Sequence, residues 1–314
     1  MLRNYVDPAV LYASFHNDAL GKVWEAHHRA FANLVTSYKV RRVIEVGAGN
    51  GRLASLIPSL SYTAIDPQFS GKDPRIVVCK SLLNSDVAAQ LAGSCDVVVS
   101  SHTLEHFIEF NEYFRHARTM LEAGGMLFTS VPNQEVGFAA GNGNMLCFEH
   151  PALCTNMHWL ALHARNGFCV REVSTFRDHS LMIAAQKSEV DLSPCMRLGD
   201  MSRGLFASYA ASVQRKVATI AAAVADKQKP NWLFGAHMTA QALFAYGVDE
   251  RVFVGVVDNS PGKHGKRLYG TNLICVAPST LLHNARVFLN IGAYNAEVGV
   301  QLQSIAPGVE CIPL

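Results

Sequence analysis

Apolar positions along the chain fall into two alternations separated by a stretch with no period. Residues 8 to 38 carry Leu11, Phe15, Leu20, Val23, Trp24, His27, Phe31 and Leu34, mostly at helical spacing, which predicts one or two amphipathic helices. From Val43 the pattern shortens to apolar runs at 43–46, 62–65, 76–78, 96–100 and 126–131, alternating with segments of helical length. That alternation predicts βαβ units and a mostly parallel sheet. Two further runs, 169–173 and 181–185, follow a helix over 157–165 that stops at Asn166-Gly167. Residues 187–200 lose all periodicity and lead into an Ala-rich helix over 202–226. A second alternation then begins, with strands at 232–234, 252–257, 273–276, 287–291 and near Cys311, and a helix over 238–246.

The pattern divides the chain into an N-terminal helical cap (1–40), a first α/β domain (41–186), a linker and helix (187–230) and a smaller α/β domain (231–314). Composition narrows the partners. Among 314 residues, 27 Lys and Arg stand against 25 Asp and Glu, a net +2, so no basic stripe of the kind that tracks phosphates is expected and nucleic acid is disfavoured. Only 17% of residues are charged while 49% are hydrophobic, and a homodimer or a closed domain interface would use that apolar surplus. Eight cysteines without a CxxC pair read as core residues of a reducing compartment. No signal-peptide core or membrane-length apolar run occurs, so the expectation is a cytoplasmic protein without a membrane partner.

The strongest chemical signal is Val43-Ile44-Glu45-Val46-Gly47-Ala48-Gly49-Asn50-Gly51-Arg52, an apolar strand entering three alternating glycines and then an expected helix. Glycines there let backbone approach a ligand closely. A dinucleotide fingerprint counted from Gly47 fails at Arg52, although the looser G-x-G-x-x-A counted from Gly49 is met at Ala54. Asp66, closing Ala64-Ile65-Asp66-Pro67 at the tip of the second strand, is placed to accept both hydroxyls of a ribose. Glu45 stands where the cations of an amino-acid sulfonium would come.

Together with Cys95-Asp96-Val97-Val98-Val99-Ser100-Ser101-His102-Thr103-Leu104-Glu105-His106 and Leu121-Glu122-Ala123-Gly124-Gly125-Met126, these elements resemble the ordered motifs of class I S-adenosylmethionine-dependent methyltransferases over roughly residues 40 to 186. The resemblance implies a Rossmann-like seven-stranded domain with S-adenosylmethionine as cofactor. It implies backbone contacts to the methionine moiety from Gly47, Ala48 and Gly49, with Asp66 and Pro67 at the ribose. Ser81 and Leu82 would flank the adenine, and Ser101 and His102 would close over the methionine amine.

Residues 256–274, with Asp258, Pro261, Lys263 and Gly265, resemble the C-terminal domain of sugar C-methyltransferases. That family holds a nucleotide-linked keto sugar between two domains, the second a half-Rossmann unit. Three features depart from it: the four-cysteine zinc module is missing, the Y-H-E-H segment is reduced to Cys147-Phe148-Glu149-His150, and the opening turn 235–241 lacks a lysine. A carbon or hydroxyl acceptor needs a base, and an imidazole titrates near working pH. His150 is the first candidate and His106 the second, with Glu149 orienting or substituting; a plain approach to a helix N-terminus and a cleft histidine are the respective alternatives. Asn133, Lys263 and His264 are the substrate candidates, the basic turn being either a solvated loop or a phosphate holder.

Trp24, His27 and His28 form either a cofactor cap or a core stripe, and Tyr5 and Tyr12 are lid candidates. Cys147, His150, Cys154 and His158 match no common zinc spacing, so no metal is expected. The preferred function is methyl transfer to a nucleotide-linked sugar or natural-product intermediate. The alternatives are O-methylation of another small metabolite, a non-catalytic protein that holds the cofactor, or an oxidoreductase using the second α/β unit.

Overall fold

The structure, a computed structural model, describes Val10 and residues 21–146, 149–188, 201–225 and 229–314. Tyr5, Tyr12, Cys147 and most of the aperiodic linker lie outside the described residues. The chain divides into two compact units, residues 1–134 with 148–200, and residues 135–147 with 201–314.

The first unit opens with α1 (Lys22–Thr36) and carries strands β1 (Arg42–Val46), β2 (Ser61–Ile65), β3 (Ile76–Cys79), β4 (Cys95–Ser101), β5 (Leu121–Pro132), β6 (Phe168–Phe176) and β7 (Ser180–Lys187). Their order is β3-β2-β1-β4-β5-β7-β6, parallel except for β7, which runs antiparallel to both neighbours. β4 is buried along nearly its whole length, as a central parallel strand covered on both faces must be. Alternate residues feed two cores. Ile44, Val98 and Leu127 join Tyr113, Phe114 and Trp159 of α3 (Phe110–Met120) and α5 (Asn156–Arg165). Val43, Val97, Val99 and Phe128 pack with Phe31 and Val35 of α1 on the other face. This unit also carries α2 (Ser85–Gln90).

One expectation fails locally. The glycine turn does not enter an α-helix but a single 3₁₀ turn over Ala54–Leu56, because Ile57 precedes Pro58 and is driven to φ −107°, ψ 103°. The glycine turn is therefore not followed directly by an α-helix.

In the second unit, β8 (Asn231–Phe234), β9 (Gly255–Val257), β10 (Cys275–Val276), β11 (Arg286–Leu289) and β12 (Glu310–Pro313) form one parallel sheet in the order β10-β9-β8-β11-β12. Its helices are α4 (Gln134–Ala139), α6 (Met201–Val224), α7 (Met238–Ala245) and α8 (Asn295–Ile305). Trp232, Phe234, Val257, Val287, Leu289 and Leu302 make its core. The strand expected from 252 starts at Gly255, since Glu250–Val252 is a 3₁₀ turn. The observed architecture is the expected one, a seven-stranded Rossmann-like unit and a smaller α/β unit. No helix among the described residues is long and apolar enough to cross a membrane.

Candidate active site

In an open α/β sheet the ligand crevice lies beyond the carboxyl ends of the strands, where the strand order reverses. In the first unit that point lies between β1 and β4. Gly47, Gly49 and Gly51 all have positive φ, at 76°, 54° and 72°. A Cβ on Gly47 would collide with the Thr103 side chain, whereas a Cβ on Gly49 would meet nothing within 4 Å. The turn is thus clamped at its first glycine and open at its second. Gly49 N–H donates to Asp66 Oδ2 at 2.8 Å and Gln68 N–H to Oδ1 at 2.7 Å. A carboxylate offers about four lone pairs, so Asp66 keeps two for ribose hydroxyls.

Ser101 Oγ, at the end of β4, is buried without a hydrogen-bond partner among the described residues. An open glycine face, a half-satisfied carboxylate and an unpaired buried hydroxyl fit a nucleoside carrying an amino-acid tail. Ala48 is buried and Pro67 half-buried beside this turn. Beyond β3, Ser81 Oγ donates to the Leu82 carbonyl at 2.9 Å and the Leu82 side chain is exposed.

Glu45, near the end of β1, is buried. Burial pushes its carboxyl up to about 8, against the lowering effect of the Tyr62 hydroxyl that donates to it at 2.7 Å, and Asp66 raises it further. In the ligand-free site burial thus favours the protonated form of Glu45.

Histidines crowd the ends of β4, β5 and β7. His102, at φ 50°, faces Ser180 Oγ with Nε2 at 2.8 Å, and His179 Nδ1 lies 2.5 Å from the same hydroxyl. His27 Nε2 meets Ser130 Oγ at 2.9 Å, and the Trp24 ring lies 4.8 Å from His102 and 4.6 Å from His179. Burial, then mutual repulsion, drives the His27 and His179 imidazoles toward neutrality. Both ring nitrogens of His102 face protein groups, Ser180 on one side and Glu105 on the other. Trp24, His27 and His28 thus join these histidines. Asn133, buried just past β5, donates its backbone N–H to the His179 carbonyl at 3.1 Å.

The second cluster is built on a residue that sequence reasoning passed over. Glu105, in the 3₁₀ turn Leu104–His106, is only 1% exposed. Its Oε1 lies 3.4 Å from His102 Nδ1 and 4.0 Å from His106 Nε2. Burial raises the Glu105 carboxyl, but the His102 hydrogen bond and the nearby charges of His102, His106 and His150 outweigh it and hold the group below its ordinary value. His106 Nδ1 lies 3.3 Å from the Glu149 carbonyl and 4.0 Å from Glu149 Oε2, and the His150 ring stands 4.9 Å from that of His106. His106, Glu149 and His150, three residues singled out for proton transfer, therefore stand together. The signal for Glu105 was present in H-x-x-E-H at 102–106, which puts three titratable side chains on one turn.

Lys263 and His264 lie in the second unit. Lys263 Nζ pairs with Asp258 Oδ2 at 2.9 Å, and His264 Nε2 donates to the Asp258 carbonyl at 2.8 Å. Asp258 Oδ2 also accepts from Ala236 N–H, at the start of the turn into α7. The basic turn is thus tied to its own carboxylate.

The model of the methyltransferase domain family matches residues 15–187. The malonyl-[acyl-carrier protein] O-methyltransferase of Chlorobium phaeovibrioides is 29% identical over 142 residues, covering 38% of this chain and 55% of that protein. The match thus spans about half the length of that relative. Similar solved structures include an S-adenosylmethionine dependent methyltransferase from Mesorhizobium loti (16% identity, 53% of this chain and 98% of that one, TM-score 0.41). Another is an O-methyltransferase family protein from Burkholderia thailandensis (19% identity, 54% and 57%, TM-score 0.43). With more than half of its residues matched by the family model, the chain belongs to the methyltransferase domain family, a class I family whose cofactor is S-adenosylmethionine.

Proposed function

We propose that this protein transfers a methyl group from S-adenosylmethionine to a small-molecule acceptor whose proton is lost at the Glu105–His106–Glu149–His150 cluster. When bound, the cofactor supplies an already activated methyl group, so the protein's tasks are alignment and removal of the acceptor's proton. Gly47, Ala48 and Gly49 would hold the methionine end by backbone, Asp66 and Pro67 the ribose, Ser101 and His102 the amine side, and Ser81 and Leu82 the adenine. Glu45, held by the Tyr62 hydroxyl beneath the turn, would face the cationic end of the cofactor.

The observation that carries this reading is the buried Glu105 with two imidazoles beside it, in the turn that also abuts the glycine loop through Thr103 and Gly47. His150 is the first candidate to take the proton, His106 the second, and Glu149 orients. A nucleotide-linked sugar or natural-product intermediate is the preferred acceptor, supported by the resemblance of the 256–274 segment to sugar C-methyltransferases. Lys263 and His264 would contribute to substrate binding only by releasing Asp258.

A second reading follows from the relative that its name describes as a malonyl-[acyl-carrier protein] O-methyltransferase. A carboxylate oxygen is already ionised at neutral pH and needs no base. The two readings part in one assay, transfer of labelled methyl from S-adenosylmethionine to panels of nucleotide sugars, phenols and carboxylates, with His150→Ala beside the parent. The proposal expects a protic acceptor to be methylated, with turnover at least about tenfold lower in His150→Ala and cofactor affinity unchanged. Full turnover in that variant would remove His150 from the mechanism, and methylation of carboxylates alone would favour the second reading.

A further inference from the structure

We infer that Glu105, His106 and His150 form a binding site for a first-row divalent transition-metal cation. One ligand atom from each of the three lies within 4.8 Å of the others, close enough to converge on a single ion. One carboxylate and two imidazoles are the donors of catalytic zinc sites and of the two-histidine, one-carboxylate facial triad, both of which leave positions open. Ligands that are two-thirds nitrogen exclude the oxygen-seeking Mg²⁺ and Ca²⁺ as preferred occupants.

Two further observations point to an ion. Glu105 is 1% exposed, yet its Oε2 is buried with no hydrogen-bond partner among the described residues. Buried carboxylate oxygens are normally satisfied, and an ion is one of the few partners that would meet this need. The outer shell is also in place. The Glu149 carbonyl can only accept, so the His106 nitrogen facing it at 3.3 Å must be the protonated one. In the neutral ring the lone pair is then on Nε2, which faces Glu105. A ring oriented through its other nitrogen by a carbonyl is the usual arrangement of a metal-binding histidine. His102 Nδ1, 3.4 Å from Glu105 Oε1, orients the carboxylate in the same way.

The site itself does not depend on the methyl-transfer reading; what the ion does there rests on it. An acceptor hydroxyl occupying an open position would lose its proton to solvent at a lower pH than in water. With an ion bound, His106 and His150 would act as ligands instead of taking the proton themselves, and the ion would supply the acidity.

The test uses the full chain after chelator treatment, titrated with Zn²⁺ alone by calorimetry and with Co²⁺ alone by absorption spectroscopy. The same protein is titrated with S-adenosylhomocysteine. The expected result is one saturable site with Co²⁺ ligand-field bands, and affinity at least about tenfold weaker in Glu105→Gln and in His150→Ala. Because Glu105 is buried, the half-buried His150 provides the variant that decides if Glu105→Gln does not fold. No saturable binding, or binding equally tight in His150→Ala, would overturn the inference; the latter would direct attention to the neighbouring His27, His102 and His179. Metal binding without cofactor binding would leave the site standing and sink the methyl-transfer reading instead.

Discussion

Glu45 and Glu105 are both buried glutamates at the carboxyl end of one sheet, and their neighbours give them opposite protonation. Among the described residues Glu45 meets the Tyr62 hydroxyl and the repelling Asp66, so burial wins and its carboxyl is pushed up to about 8. Glu105 has imidazoles around it and remains a carboxylate. The sign of the Glu45 effect follows from linkage. A carboxyl raised in the folded state contributes its full stability below its ordinary value of 4.5 and loses it as pH rises through about 8. Glu45→Gln removes that titration and leaves an acceptor for Tyr62. The parent is expected to lose thermal stability between pH 4.5 and 8 while the variant changes less, so the two melting curves separate as pH rises. Parallel curves across that range would show that Glu45 ionises normally.

At the scale of elements, the glycine turn separates folding from ligand approach within three residues. Gly47→Ala would force a left-handed residue, costing about 1–2 kcal/mol, and collide with Thr103, so both thermal stability and cofactor affinity are expected to fall. Gly49→Ala carries the same strain, about 1–2 kcal/mol, but no clash, since nothing stands within 4 Å of its Cβ; stability should fall less than in Gly47→Ala, and cofactor affinity at least about tenfold. Equal effects of the two substitutions on both readouts would contradict the division. Most of this element was legible beforehand, because strand, glycines and Asp66 are local in sequence. The missing helix after Gly51 was not, since the strand-to-helix pattern was followed past the point where Pro58 sets the conformation of Ile57. The histidine clusters were legible only in part. His102, Glu105 and His106 share one turn, but His27, His179 and His150 come from α1, from the link between β6 and β7 and from the segment before α5, and no local period reports such a meeting.

For the whole molecule, the two sheets follow the same rule with different outcomes. In the first unit the reversal of strand order between β1 and β4 leaves Gly49 open, Ser101 unpaired and Asp66 half-used. In the second, the reversal between β8 and β11 lies beside a turn whose Ala236 N–H is taken by Asp258, itself paired with Lys263. The parallel sheet of that unit was readable from its apolar runs. Its inclusion of residues 135–147 was not, because these leave the first unit within a stretch whose pattern does not change. The helix Met201–Val224 belongs to the second unit as well, where Arg286 Nη1 donates to the Ala223 carbonyl at 2.6 Å.

The open turn at Gly47–Gly51, with Asp66 hydrogen-bonded to it, is expected to hold S-adenosylmethionine. Calorimetry of the full chain with S-adenosylmethionine and S-adenosylhomocysteine, repeated on Asp66→Ala, tests it most directly. Saturable binding of both forms is expected, weakened at least about tenfold in the variant, since a hydrogen bond to a charged group is worth about 1.5–3 kcal/mol. Absence of binding by either form, or an Asp66→Ala protein that binds as tightly as the parent, would contradict it.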